Sequence, residues 1–209
     1  MLHAQSEKKS ETRARIIQAA KDVFAERGFA GARVDEIARR AEVNKAALYY
    51  HIGDKQALYG EVLHDVIGTN ARKLAADMEA LSEPEEKFKA YFTTLTEAIG
   101  RNPQMPRIMM RELASGGVNL PDIFFQDLDL ALKIITEMIE DGVKRGVFID
   151  TIPIGVHLMV ISALVFLQVS GPIFLGHPKA PRALKKIDKA FLPLAAQELE
   201  RLILRALKR

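Results

Sequence analysis

The 209-residue chain contains no cysteine. That absence excludes a disulfide scaffold, a thiolate metal site and a cysteine nucleophile, and it suits a reducing compartment. A strong excess of either charge is also missing: 30 Lys and Arg stand against 27 Asp and Glu. No apolar run opens the chain. MLHAQSEKKSETRARIIQ therefore does not read as a secretory signal, and a cytoplasmic protein is expected. There is no HExxH, no GxSxG and no glycine-rich phosphate loop. His3, His51, His64, His157 and His177 are scattered. His64 and His157 either meet in space or each satisfy a core separately, and the second reading is the expected one. No catalytic residue, no metal and no cofactor are expected. With 48 % hydrophobic and 27 % charged residues, disordered and collagen-like chains are excluded too.

What charge there is sits at one end. Residues 1–55 hold eleven Lys or Arg and eight Asp or Glu, whereas residues 56–209 hold nineteen of each. The whole net charge of +3 thus lies in the first quarter, which points to a polyanionic partner for that quarter.

One long apolar run is present, Ile154 to Leu175. Its length approaches that of a membrane-spanning helix, but it contains His157 and Gln168, and Gly171-Pro172 is expected to break it. It is read as a helix in a protein core or shared between two subunits.

Almost every other segment has helical spacing of apolar residues, and none alternates with period two. Helices are expected near Lys9–Arg27, Val34–Ala41 and Lys45–His51, then from Asp54, as cap, to about Leu81. Ser82-Glu83-Pro84-Glu85 has the form of a capping box opening the next helix, to about Arg101. Asn102-Pro103 opens another, to Ser115. Pro121 opens a long helix that Gly146 ends. A loop over Gly171–Pro181 precedes a last helix near Arg182–Lys208. The fold class is all-α, with about nine helices. Residues 1–55 form one domain and residues 56–209 a larger one.

Gly31–Lys55, GARVDEIARRAEVNKAALYYHIGDK, encodes two short helices around a tight turn at Glu42-Val43. Ile37, Ala38, Ala41, Val43, Ala47 and Leu48 share an inner face. Asn44, Lys45, Ala46, Tyr49 and Tyr50 then face outward, as a donor-rich surface on a helix narrow enough for the major groove. Lys55 opens the following helix, where its cation and free backbone N–H groups can meet one phosphate.

These residues resemble the helix–turn–helix of the TetR family of transcriptional regulators. The resemblance runs through about residues 9–69. It is carried by the pattern from Arg13 to Phe29, by DEIARRA at Asp35–Ala41 and by VNKAALYYHIGDK at Val43–Lys55, with the helix–turn–helix itself at about 32–51. It implies a homodimeric protein that binds double-stranded operator DNA, the rest of the chain binding a small-molecule effector and dimerising. The residues it assigns to DNA are Arg33, Asn44, Lys45, Ala46, Tyr49, Tyr50, His51 and Lys55. Lys45 reads a guanine or touches a phosphate, and the basic tail of Lys8, Lys9, Arg13 and Arg15 reaches the minor groove or is merely solvated. Four departures stand out. Arg33 occupies the place of the usual Ser or Thr cap and can replace its phosphate contact but not its cap. Glu42 occupies the place of a turn Gly. Ile52 replaces an aromatic residue. Ala46 and Ala47 replace commoner small or hydroxyl residues.

In the larger domain Phe88, Tyr91 and Phe92 fall on one helix and Met105 and Met109 on the next. Phe125, Met138 and Met159 follow. Soft and aromatic side chains of this kind build either an ordinary core or the adaptable lining of an apolar cavity. Arg107, Arg111 and Glu112 accompany them at the expected mouth. Leu158 and Val165 in the apolar run, with Leu192, Ala195, Leu199 and Leu202 in the last helix, form the expected dimer interface. The expected function is a repressor released from its operator by a small, mostly apolar ligand. The alternative is a helical small-molecule-binding or scaffolding protein whose helix–turn–helix has lost DNA binding.

Overall fold

The computed structural model describes residues 2–175, 177–179, 181 and 191–209, without the side chains of 2–6, 8, 175 and 192. Among them are nine helices: α1 (Leu2–Gly31), α2 (Val34–Arg40), α3 (Lys45–Ile52), α4 (Lys55–Glu79), α5 (Pro84–Arg101), α6 (Gln104–Ala114), α7 (Asp122–Lys144), α8 (Pro153–Leu175) and α9 (Phe191–Leu207). Among the described residues the β-structure is a single isolated antiparallel bridge, Phe148 to Lys208.

The chain forms two compact units. One gathers Met1–Gly68 with Arg107–Asp127, the other Thr69–Pro106 with Leu128–Arg209. The chain passes from unit to unit within α4, α6 and α7.

In the first unit α1 is interrupted at Gly28, whose φ of 68° lies in the left-handed region that glycine enters without a Cβ clash. Ile16, Ala20, Val23 and Phe24, on the inner face of α1, are fully buried with Ile37, Leu48, Leu58 and Leu63. The i, i+4, i+7, i+8 spacing from Ile16 to Phe24 gives this face directly.

The second unit has its own core. Phe88, Tyr91 and Phe92 of α5 pack with Ile135, Met138 and Ile139 of α7, Val156, Val160 and Leu164 of α8, and Ile203 and Leu207 of α9. Gly142 admits the Phe148 ring: a Cβ there would lie 2.1 Å from a ring carbon. Phe148 in turn begins the short pairing with the chain end, where Ile149 N–H donates to the Leu207 carbonyl at 2.8 Å.

Three local expectations are corrected. Ser82 does not cap α5: the N-cap is Glu83, and the Arg145 guanidinium takes both the Ser82 carbonyl (2.6 Å) and the Glu83 carboxylate (2.8 Å). Gly171-Pro172 does not end α8, which runs on to Leu175. Pro172 forfeits the hydrogen bond to the Gln168 carbonyl, but its fixed φ is helical, so the residues after it keep the turn. The expected loop at Gly171–Pro181 is therefore helical in its first five residues. The start of the last helix near Arg182 lies outside the described residues. Finally, only about a third of α8 is buried within the chain, although it is long and apolar enough to cross a membrane.

Candidate nucleic-acid interface

The helix–turn–helix is held from inside by small residues. Ala38 and Ala41 are buried, which lets α2 and α3 approach closely, and the turn closes with Val43 N–H on the Ala38 carbonyl at 3.0 Å. Glu42 takes a left-handed φ of 55°. That conformation disfavours a side chain, and here the Arg15 guanidinium lies 3.6 Å from the Glu42 carboxylate. Arg33 is the extended residue before α2 and makes no side-chain cap, so the donors of the first turn lack the Ser or Thr oxygen. Arg40 ties α2 to α1: it bonds Glu26 at 2.8 and 2.7 Å and Glu36 at 2.6 Å. The Glu26 bond, above all, pushes its guanidinium further up.

Asn44 begins α3 and accepts from the Ala47 N–H at 2.7 Å, so its side-chain oxygen is used as a cap. Its amide nitrogen is left for other work. Asn44, Lys45, Ala46, Tyr49 and Tyr50 are all exposed, Tyr50 to 77 %. Leu48 is fully buried beneath them. His51 is half-buried with its ring edge-on to Tyr50. Its Nδ1 is buried without a hydrogen-bond partner, which leaves Nε2 as the nitrogen able to reach outward. Asp54 caps α4 by accepting from Ala57 N–H at 2.7 Å. Lys55, the first residue of α4, lies 4.6 Å over the Phe29 ring. Burial there pushes its ammonium down from the ordinary lysine value.

Two contacts had no signal in the sequence. The Lys45 ammonium sits 2.9 Å from the Asp35 carboxylate, and that bond pushes its pKa up. Lys9 lies 5.5 Å from the centre of the Tyr50 ring, so the basic tail continues α1 as a helix and touches α3. Arg13 pairs with Glu61. The Lys8 side chain lies outside the described residues.

The expected cavity residues are divided. Met109 and Phe125 belong to the first unit, and Phe88, Tyr91, Phe92, Met105, Met138 and Met159 to the second. Phe88, Tyr91, Phe92 and Met138 are core, whereas Phe125 and Met159 are about half exposed. A hollow of about 370 Å³ does open in the second unit, over Ala75, Met78, Leu130, Ile134 and Met138, with Lys87, Lys133, Glu79 and Glu137 also lining it. Met138 alone of the expected set lines it. Arg111 and Glu112 are not at a ligand mouth. Arg111 bonds the carbonyls of Ala25 and Glu26, and Glu112 is buried against Tyr59. Each of the two histidines is satisfied within its own unit: His64 bonds Asp127 at 2.7 Å in the first and His157 bonds Tyr91 at 2.7 Å in the second.

Of the expected interface residues, Leu158 and Leu202 are exposed, Val165, Ala195 and Leu199 are half-buried, and the Leu192 side chain lies outside the described residues. Ile154, Leu158, Phe166 and Ile173 on α8 and Leu194 on α9 are exposed as well.

Residues 16–62 match the profile of bacterial regulatory proteins of the tetR family. The HTH-type transcriptional repressor SCO4008 of Streptomyces coelicolor is 31% identical over 156 residues, 73% of this chain and 76% of that protein. The HTH-type transcriptional repressor NicS of Pseudomonas putida is 27% identical over 159 residues, 74% of each. Among solved structures, the transcriptional regulator FadR from Bacillus subtilis in complex with stearoyl-CoA superposes with a TM-score of 0.72 at 17% identity, covering 93% of this chain and 98% of that one.

Proposed function

The chain belongs to the tetR family of bacterial regulatory proteins, and we propose that it is a homodimeric repressor that binds operator DNA through α3 and leaves it when a small, mostly apolar ligand binds. As a member of that family it is a transcriptional regulator and not an enzyme. The observation that carries the DNA reading is the face of α3, where Lys45, Tyr49 and Tyr50 project from a helix seated on the buried Leu48. In this reading Lys45 meets a guanine or a phosphate, and Tyr50 and the Asn44 amide meet base edges or sugar. In the same reading Arg33, Tyr49, His51 Nε2 and Lys55 meet phosphates, which fix register without reading sequence. Ala46 adds no donor but leaves room for the helix to approach. The residues assigned to DNA all fall within 1–55, inside the unit of Met1–Gly68 with Arg107–Asp127, and the effector-binding and dimerising roles are assigned to the unit of Thr69–Pro106 with Leu128–Arg209. The protein acts in the cytoplasm, with its operator.

Dimerisation is supported by the outer faces of α8 and α9. Leu158 and Phe166 stand two turns apart on α8, and Leu194 and Leu202 two turns apart on α9, all exposed in the single chain. Scattered exposed apolar side chains are normal, but two helices each with an apolar outer row need a partner. Two such helices from each of two copies form a four-helix interface. The ligand reading is supported by the hollow over Met78, Ile134 and Met138, whose volume falls in the range of small-molecule sites.

A second reading, a helical ligand-binding or scaffolding protein with a silent helix–turn–helix, draws on the uncapped Arg33 and the left-handed Glu42. Selection of duplexes from a random pool, followed by sedimentation of the selected complex, separates the two. The repressor reading expects a palindromic sequence bound by two chains. Failure to enrich any sequence overturns it.

A further inference from the structure

Arg111 and Glu112 are consecutive residues in the last turn of α6, and neighbours on a helix point in different directions. Each is spent on a different helix of the DNA-reading unit. The Arg111 Nε donates to the Ala25 carbonyl and its Nη2 to the Glu26 carbonyl, both at 3.0 Å. These carbonyls end the straight part of α1, just before Gly28 turns the chain. A guanidinium is suited to that place: its planar fork meets two oxygens at once, and its charge faces the negative end of a helix dipole.

Glu112 is 3 % exposed, a place where a carboxylate needs several donors to be tolerable. It accepts from Tyr59 OH at 3.1 Å, from Asn119 N–H at 2.8 Å and from the Asn119 side-chain amide at 3.2 Å. Tyr59 lies in the second turn of α4, with its ring 5.1 Å from Phe29 and 4.9 Å from Phe24. Gln56, in the first turn of α4, donates to the Asn119 carbonyl at 3.0 Å. The end of α6 is therefore bonded to the exit of α1 and, directly and through Asn119, to the entrance of α4. Between those two points runs the whole helix–turn–helix.

We propose that Arg111 and Glu112 are positioning residues for DNA reading, which hold both ends of the helix–turn–helix and so set the angle at which α3 is presented. The proposal rests on the DNA reading above and adds residues of α6, in the middle of the chain, to the machinery that serves it. It also gives the grouping of Arg107–Asp127 with Met1–Gly68 a function. Neither residue touches DNA, so their loss acts on geometry. A dimer reads two half-sites at a fixed separation, and that separation depends on how each α3 is held.

The test uses the full chain and the duplex selected from a random pool, together with versions in which the separation of the half-sites is lengthened or shortened. Arg111→Met keeps the side-chain stem and removes the fork, and Tyr59→Phe keeps the ring and removes the donor to Glu112. Each is expected to lose about tenfold in affinity for the best duplex, the scale of one charge-assisted hydrogen bond. Each is also expected to flatten the preference among separations, at an unchanged salt dependence on random duplex. Arg111→Lys, with one donor group, recovers part of the preference. A separation profile in Arg111→Met and Tyr59→Phe that matches the wild type overturns the proposal. So does a parallel fall in specific and random binding that tracks melting temperature, since that is loss of fold and not of position. Should Arg111→Met not fold, Tyr59→Phe decides. A wild-type chain that binds no duplex at all removes the DNA reading itself.

Discussion

The Lys45 ammonium lies 2.9 Å from the Asp35 carboxylate, so the cation of α3 is engaged across the turn by α2 before any duplex arrives. Both side chains are more than half exposed, and such a pair is weakly held and screened by salt. With DNA read through α3 as proposed, Asp35 stands as an unfavourable neighbour of the phosphates. Asp35→Asn removes that charge and frees Lys45. Affinity for random duplex is expected to rise several-fold, and the log–log salt slope to steepen by up to about 0.9, the worth of one phosphate contact. Fluorescence anisotropy across a salt series checks this, and an unchanged affinity and slope would mean that Asp35 does not face the duplex.

Lys45 and Lys55 are expected to behave differently when removed. Lys55 lies over Phe29 at the start of α4 and is proposed to contact the phosphate backbone of a duplex. Lys55→Ala should weaken all sequences alike, because phosphate contacts carry no sequence information. Lys45→Ala should change which sequence is preferred if Lys45 reads a base. Repeating the duplex selection with each variant measures this, and an unaltered preference in Lys45→Ala would assign Lys45 to a phosphate.

Phe166 and Leu202 are the residues to charge in testing the dimer. Phe166 is 62 % exposed and Leu202 47 %, so a carboxylate at either is harmless to a lone chain. Phe166→Glu and Leu202→Glu should each give folded monomers by sedimentation, with specific DNA binding lost together with the dimer. Leu199 is a poorer choice, because it packs against the core of its own chain and its replacement would unfold as well as dissociate. A wild-type monomer at micromolar concentration would contradict the interface.

Tyr91 OH and His157 Nδ1 form a buried hydrogen bond of 2.7 Å between α5 and α8. Burial pushes the His157 pKa down and the Tyr91 pKa up, so both are held neutral. In the unfolded chain His157 titrates near its ordinary value of about 6.5. Below that value the unfolded state takes up a proton that the folded state refuses. Stability is therefore whole above about pH 6.5 and declines as pH falls towards the depressed folded value. Thermal melting from about pH 7.5 to 5 should show this decline in the wild type and a shallower one in His157→Gln. Equal slopes would mean that His157 does not titrate with unfolding.

The helix–turn–helix was legible because its constraints are local. The expected outward set from Asn44 to Tyr50 is exposed, Asp54 caps α4 from three residues away, and Glu42 takes the left-handed backbone that its place in the turn requires. Gly28 and Gly146 mark the break in α1 and the turn after α7 for the same reason, each with positive φ. What could not be read is set by distance along the chain. Arg111 meets Ala25 across 86 positions, and no spacing rule connects them. The same holds for Lys45 and Asp35, which face each other only once the turn has closed. Met and Phe gave no address within the larger domain, because core and cavity linings use the same side chains. Phe88 and Phe92 went to the core, while Phe125 and Met159 went to the surface. For α8, periodicity was uninformative since nearly every residue from Ile154 to Leu167 is apolar, although only about a third of the helix is buried within the chain.

The central claim, that this chain is a DNA-binding regulator, is tested most directly by titrating its affinity for duplex DNA against salt. Binding through several phosphates predicts a straight log–log plot falling by about 0.9 per phosphate neutralised. The selected duplex should stay well above random sequence at each salt concentration. Affinity that is negligible at low salt, or that does not change as salt is raised, would contradict the account.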